Sequence, residues 1–218
     1  MTKLLISQEL NDYAEKYTSP ETPVLTALTR ETYDNVGQPH MLSGHLQGAL
    51  LQMISHMLKP KRILELGTFT GYSAICLAQG LPDDGQLHTI DVDERLEETT
   101  RKYFREAWVD QKITRHFGKA ADIIPELDET FDLVFIDADK RNYGLYYDLV
   151  FDKVPVGGFI LADNVLFDGE VILPEDQMGK TAKFIHAFNE KINKDPRIER
   201  LLLPIRDGIM IMRKIAAV

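Results

Sequence analysis

From residue 62 to residue 212 the chain alternates short apolar runs with stretches of helical period, and this alternation restricts the fold more than any other feature. The apolar runs cover 62–66, 86–90, 112–117, 131–136 and 158–162. Helical patterns over 72–79, 95–108 and 142–151 separate them, and another over 180–193 follows. Strands joined by helical crossovers form a parallel sheet with both faces covered. A closing pair, 199–204 and 208–212, is turned by Arg206-Asp207-Gly208 and adds an antiparallel strand at one edge. The expected fold is a doubly wound, Rossmann-like α/β sandwich around a mainly parallel seven-stranded sheet.

Ahead of this unit the sequence reads as helical over 7–17, 21–36 and 46–58, with a loop at 37–44 punctuated by Gly and Pro. In the first of these, Leu10, Tyr13, Ala14 and Tyr17 recur at helical spacing. No repeat, low-complexity tract or Gly/Ser linker interrupts the chain, so one domain over 1–218 is expected: a helical extension, 1–58, and a catalytic core, 59–218. At 218 residues and 44% hydrophobic, such a chain builds a core without disulfides. Its one cysteine, Cys76, suits a reducing compartment. No apolar run approaches membrane-spanning length, and the start lacks a signal peptide's apolar core, so a cytoplasmic protein with no membrane partner is expected. The net charge of −9 disfavours broad binding to nucleic acid, although Lys59, Lys61 and Arg62 form a short basic cluster.

In sheets of this kind ligands collect at the carboxyl ends of the strands. The first strand runs into Glu65-Leu-Gly67-Thr-Phe-Thr-Gly71-Tyr-Ser73. Glycines there allow backbone to approach a ligand, and the next helix offers free N–H groups. Asp91 ends the second strand, 24 residues after Gly67, where an acid can hold two ribose hydroxyls. The loop is G-x-x-x-G rather than the G-x-G-x-x-G that wraps a pyrophosphate, which weakens a nicotinamide cofactor. An acid at Glu65 would repel phosphates and hold a cationic amino group. An amino-acid-bearing nucleoside fits both details; a tight βα turn with two surface acids is the plainer reading of the same residues.

Asp137 follows the fourth strand, and Asp163-Asn164 the fifth. Neighbouring strand ends lie about 5 Å apart, so the three side chains can converge. Two carboxylates and an amide oxygen suit Mg²⁺, Mn²⁺ or Ca²⁺. The six histidines show no zinc-type spacing, and His45 keeps some interest for its place near the 37–44 loop. Acids also cap helices that follow strands, which is the competing account of either Asp alone. Lys140 sits near a helix start, where the dipole disfavours a cation, and that local cost suggests a task.

With these residues in hand, the chain resembles the cation-dependent O-methyltransferases of the caffeoyl-CoA and catechol type, from about Met41 to the C-terminus. The matching motifs are Met41-Leu-Ser43, Glu65 to Ser73, Ile90-Asp91, Gly118-Lys-Ala120, Ile136-Asp137-Ala-Asp139-Lys140 and Asp163-Asn164-Val-Leu. The resemblance implies the class I methyltransferase fold and S-adenosylmethionine (SAM) as methyl donor. Glu65, Gly67 and Ser73 would contact its methionine part, Asp91 its ribose, and Gly118 and Ala120 its adenine side. Met41 and Ser43 would form part of a loop over the site. Asp137, Asp163 and Asn164 would ligate the divalent cation, with Asp137 also beside the cofactor, and Lys140 would be the general base.

The implied reaction is in-line methyl transfer to one oxygen of a chelating vicinal diol, a catechol or caffeoyl-type small molecule. A phenol's pKa is near 10, and chelation on a divalent cation lowers it and aims the oxygen. Phe167 stands where many relatives carry tryptophan, and Gly44-His45 replaces a Pro-acid pair, so the acceptor side departs from the pattern. A tRNA 5-hydroxyuridine acceptor is the alternative within the same family. A non-catalytic nucleoside- or NAD-binding domain is the alternative outside it. A homodimer is also implied, with the N-terminal helices and closing strands as its contacts.

Overall fold

The computed structural model describes residues 7–217. Seven strands form one sheet: β1 Arg62–Leu66, β2 Gln86–Asp91, β3 Ile113–Phe117, β4 Leu133–Ile136, β5 Phe159–Ala162, β6 Ile198–Leu203 and β7 Ile209–Lys214. Their order is β3-β2-β1-β4-β5-β7-β6. β1 to β5 pair in parallel, and β7 runs antiparallel to both β5 and β6. The eight α-helices are α1 Gln8–Lys16, α2 Pro23–Asn35, α3 Gly44–Leu58, α4 Tyr72–Ala78, α5 Glu97–Glu106, α6 Ala120–Ile123, α7 Tyr143–Phe151 and α8 Lys180–Lys194. The expected mainly parallel sheet with an antiparallel edge is the observed one.

Side chains alternate across the pleat, so each central strand feeds two cores. In β4, Val134 and Ile136 join Tyr143, Tyr147 and Phe188 of α7 and α8 on one face. Leu133 and Phe135 join Leu28, Leu51, Ile75 and Phe104 of α2, α3, α4 and α5 on the other. Burial on both faces explains why these strands read as continuous apolar runs. At the outer edge β6 exposes Glu199 and Arg200, and Arg213 on β7 pairs with Glu199 at 2.8 Å. Charged side chains on an exposed edge discourage further strand addition.

Strand order reverses between β1 and β4, which opens a crevice at their carboxyl ends. Gly67 lies there with φ of +101°, and a Cβ on it would stand 2.2 Å from the Asp137 carbonyl oxygen. No side chain fits that crossing.

The helix bounds shift slightly from the sequence reading, and each shift has a local cause. α2 starts at Pro23 because the Thr22 hydroxyl accepts the Leu25 N–H and proline tolerates the first helical position. The stretch from 95 opens as a 3-10 turn, Glu94–Leu96, before α5. The helix read at 46–58 begins at Gly44, so the 37–44 loop is shorter and contains a 3-10 turn, Pro39–Met41. α1 differs more. Leu10, Tyr13 and Tyr17 are exposed, and Asn11 is its buried residue, so its apolar stripe faces away from the core. Two members of the basic cluster pair with acids: Lys61 with Asp84 at 3.0 Å and Arg62 with Glu129 at 2.7 Å.

Candidate active site

A cavity of about 1200 Å³ opens at the carboxyl ends of β1, β2, β4 and β5. Its walls carry Met41, Ser43, Gly67, Ser73 and Asp91, then Gly118 from the loop after β3 and Ala120 at the start of α6. Asp137, Lys140, Asp163 and Asn164 complete the far side. Motifs separated by more than a hundred residues therefore share one space. His45 is elsewhere: its ring meets the Ser19 carbonyl at 2.7 Å, and His40 is the histidine on the wall.

Glu65 is fully buried beneath this loop. The Thr89 hydroxyl donates to its Oε2 at 2.6 Å, with the Thr68 hydroxyl 2.6 Å behind, while Oε1 has no well-formed hydrogen bond. Desolvation pushes its pKa up to about 8, against the Ser73 and Thr89 hydroxyls, which favour the charged form. An unpaired carboxylate oxygen held without solvent next to an open cavity is suited to a cationic partner.

Asp91 organises the loop as well as facing the cavity. Its Oδ2 accepts the Thr68 and Phe69 N–H groups at 2.9 and 2.7 Å, and its Oδ1 accepts the Asp93 N–H at 2.9 Å. A carboxylate oxygen offers about two lone-pair sites, so Oδ1 retains capacity for a ligand hydroxyl and Oδ2 is saturated. Gly118, with φ of +140°, donates its N–H to the Asp91 carbonyl at 2.9 Å and carries the chain from β3 towards Ala120.

On the β4–β5 side, Asp137 and Asp163 face the same space. Burial, with the like charge of Asp163, pushes Asp137 up to about 6, and the Lys140 ammonium opposes this from 2.7 Å. Asp137 is half-buried and Asp163 buried; the Asp163 Oδ1 accepts the Asn164 N–H and its Oδ2 the Gln47 amide, both at 2.7 Å. Among the described residues no three His, Cys, Asp or Glu side chains gather as a metal site. The set here contains two acids, and its third member is an amide. Two desolvated carboxylates repel each other, and hard-oxygen donors of this kind fit a divalent cation.

The Lys140 ammonium is bound from two sides, by Asp137 and by the Tyr143 hydroxyl at 2.8 Å. Desolvation works against its charge, but Asp137, Tyr143 and Asp163 outweigh it and hold its pKa well above the usual lysine range. The ion pair also explains a cation just ahead of α7, because a carboxylate three residues back offsets the dipole cost.

Three further groups were not visible in the sequence. Gln47, buried on α3, reaches Asp163 from 116 residues away. Arg206, in the β6–β7 turn, donates to the Leu42 carbonyl at 2.9 Å, tying that turn to the Met41–Ser43 segment. Asp207, next to it, holds Asn164 and Asp168. A polar residue predicted inside an amphipathic helix was the one available hint of Gln47.

The family model for O-methyltransferases matches residues 15–215. The chain belongs to the O-methyltransferase family. Caffeoyl-CoA O-methyltransferase 1 from Arabidopsis thaliana is 35% identical, over 98% of this chain and 87% of its own length. Among solved structures, the O-methyltransferase TomG of Streptomyces achromogenes, involved in tomaymycin synthesis and in complex with SAM, superposes with a TM-score of 0.88 at 27% identity. That match covers 97% of this chain and 100% of TomG. A Bacillus cereus O-methyltransferase in complex with SAH gives a TM-score of 0.85 at 28% identity, covering 94% and 97%.

Proposed function

We propose that this O-methyltransferase moves a methyl group from SAM to one hydroxyl of a small vicinal diol, of catechol or caffeoyl type, chelated to a divalent cation. The observation that carries the reading is the pair of half-buried Asp137 and buried Asp163 with Asn164 on one cavity, whose Gly67–Ser73 wall covers the buried, unpaired Glu65 oxygen. The matches to TomG with SAM and to the Bacillus cereus protein with SAH support the donor. SAM supplies a sulfonium methyl, and a bound Mg²⁺, Mn²⁺ or Ca²⁺ would lower the pKa of the acceptor hydroxyl.

The chain's own residues would divide the work. Glu65 would hold the donor's ammonium and Asp91, through Oδ1, a ribose hydroxyl. Met41, Ser43, Gly67, Ser73, Gly118 and Ala120 would shape the remaining contacts. Asp137, Asp163 and Asn164 would hold the cation. In the transfer the acceptor oxygen forms a bond to the methyl carbon, the carbon–sulfur bond breaks, and the hydroxyl proton goes to a base. Lys140 would take that role only once the Asp137 carboxylate is engaged elsewhere, since the ion pair keeps Lys140 protonated.

The cavity wall carries eight acids and five bases, Arg95, Lys119, Lys140, Arg141 and Arg206. That balance favours a compact diol over tRNA. Among the described residues no helix is long and apolar enough to cross a membrane. The reading includes a cytoplasmic single-domain enzyme that pairs as a homodimer, for which Leu10 and Tyr13 of α1 and Tyr17 just after it offer exposed apolar surface.

The test is SAH formation from SAM with caffeic acid, catechol or hydroxyuridine-bearing tRNA, each with Mg²⁺, Mn²⁺ or chelator. A catechol-type acceptor should respond, chelator should stop it, and Asp163→Ala should remove the metal response. Activity on catechols that survives Asp163→Ala with its metal response intact would sink the metal assignment; turnover on tRNA alone would change the acceptor.

A further inference from the structure

The Asn164–Gly169 segment after β5 is held in a conformation that L-residues rarely adopt. Asn164, Phe167 and Asp168 have φ of +55°, +45° and +53°. Three such residues within five positions carry a conformational cost of order 1–3 kcal/mol each, so surrounding contacts must fix them. The contacts come from the β6–β7 turn, some 40 residues on. The Asp207 carbonyl accepts the Leu166 N–H at 2.9 Å, and the Gly208 carbonyl accepts the Val165 N–H at 3.2 Å. The buried Asp207 carboxylate takes two more: Oδ1 accepts the Asp168 N–H at 2.6 Å, and Oδ2 the Asn164 amide at 3.2 Å.

The last bond has a consequence for the site. A carboxylate only accepts, so the end of the Asn164 amide that faces Asp207 is its NH₂ group. Its carbonyl oxygen therefore points away from Asp207, and Asn164 lines the cavity with Asp137 and Asp163. An amide turned the other way would present two N–H donors to a cation and bind nothing.

We propose that Asp207 is a positioning residue: its carboxylate fixes the Asn164 amide so that oxygen, not nitrogen, is offered to a divalent cation, and it holds the strained segment beside the acceptor. This rests on the metal reading of Asp137, Asp163 and Asn164 given above. Partners that orient metal ligands in this way commonly account for roughly 10- to 100-fold in metal affinity.

The discriminating change is Asp207→Asn, which keeps size and shape. The new side chain can keep its oxygen under the Asp168 N–H only by turning its own NH₂ towards Asn164. Asn164 must then rotate and offer nitrogen to the cavity. The exchange N164D/D207N restores the match, because a carboxylate at 164 accepts from the amide at 207 and still presents an oxygen. Asp is among the residues that tolerate left-handed backbone, so position 164 can accept it.

Mn²⁺ binding to the cofactor-free protein, read as loss of the free-ion electron paramagnetic resonance signal, needs no turnover. D207N should bind roughly tenfold or more weakly than wild type, and N164D/D207N should return to within about threefold of wild type, or tighter. N164D alone controls for the carboxylate it adds to the donor set: a purely structural role for Asp207 predicts that the exchange improves on D207N by no more than N164D improves on wild type. D207N binding Mn²⁺ as wild type does, or an exchange variant no better than D207N, overturns the proposal and leaves the metal reading standing. Wild type that binds no Mn²⁺ overturns the metal reading and this proposal together. If the variants do not fold, the ¹⁵N-resolved Asn164 side-chain amide of the wild type decides: slowed solvent exchange supports the bond, and free exchange overturns it.

Discussion

On the proposed reading, Glu65 makes binding of a cationic donor a proton-release event. With its pKa pushed up to about 8, about 0.9 of the molecules carry a proton on Glu65 at pH 7 in the empty protein. An ammonium placed against Oε1 would restore the charged form and bring the pKa back towards about 4.3. Binding at pH 7 should therefore release about 0.9 of a proton from this site, and about 0.1 at pH 9. The affinity should rise about tenfold per unit between pH 6 and 7 and level off above pH 8. Titration calorimetry with SAH, in buffers of different ionisation enthalpy and with chelator present, counts the protons. Glu65→Gln is the control, because an amide imitates the protonated acid and the ligand's own ammonium contributes equally to both proteins. Wild type minus variant should be about 0.9 at pH 7, and the variant should bind roughly 10- to 100-fold more weakly, the worth of a charge-assisted hydrogen bond. Equal proton counts for the two proteins would refute the reasoning, whatever their affinities.

Glu65 and Asp137 together shape the pH response of the empty protein. Glu65 and Asp137 have folded-state pKa values above their unfolded ones, so their contribution is complete below about pH 4 and is lost as pH rises through about 6 and about 8. The melting temperature of the cofactor-free, metal-free protein should fall between pH 6 and 8, where Glu65 titrates, and less steeply in Glu65→Gln; a flat profile would count against the Glu65 assignment. On the acid side, burial lowers His88 and His116, which share a hydrogen bond at 2.9 Å, so stability should also fall as pH drops through about 6.5. His88→Gln should blunt that acid loss, and an unchanged slope would exclude the pair as its source. Lys214 is buried, and its ammonium donates to the Phe151 and Val154 carbonyls at 2.8 and 2.9 Å, closing the end of α7. Lys214→Met should cost about 2–4 kcal/mol in urea unfolding while leaving SAH affinity unchanged; a loss under about 0.5 kcal/mol would show that these carbonyls find other partners.

The sheet was legible because its evidence is local. Val134 and Ile136 on one face and Leu133 and Phe135 on the other make β4 apolar throughout, and only a strand covered twice reads so. Strand-end residues were legible for a related reason: a parallel sheet delivers every carboxyl end to one side, so Gly67, Asp91, Asp137 and Asp163 fall together once the strands are placed. Helix starts were less so. A 3-10 turn before α5 and another before α7 depend on a few hydrogen bonds that composition does not encode.

What a linear reading missed is what holds those strand ends in their working orientation. Gln47 and Asp207 reach Asp163 and Asn164 across 116 and 43 residues, and each stands in a stretch whose local pattern has another sufficient cause. Gln47 passes for one polar position in a helix, and Asp207 for the ordinary acid of an Arg-Asp-Gly turn. Lys140 is a different case. Its unfavourable position at a helix start suggests a task, but the ion pair with Asp137 accounts for the position by itself. The same contact keeps the ammonium charged, so it must be released before Lys140 can accept a proton. Competition for the Asp137 carboxylate thus links cation and base in the proposed reaction. Lys140→Met should leave Asp137 open, so Mn²⁺ should bind the variant at least as tightly as it binds wild type while methyl transfer falls. Weaker Mn²⁺ binding in Lys140→Met would show that lysine and cation do not compete.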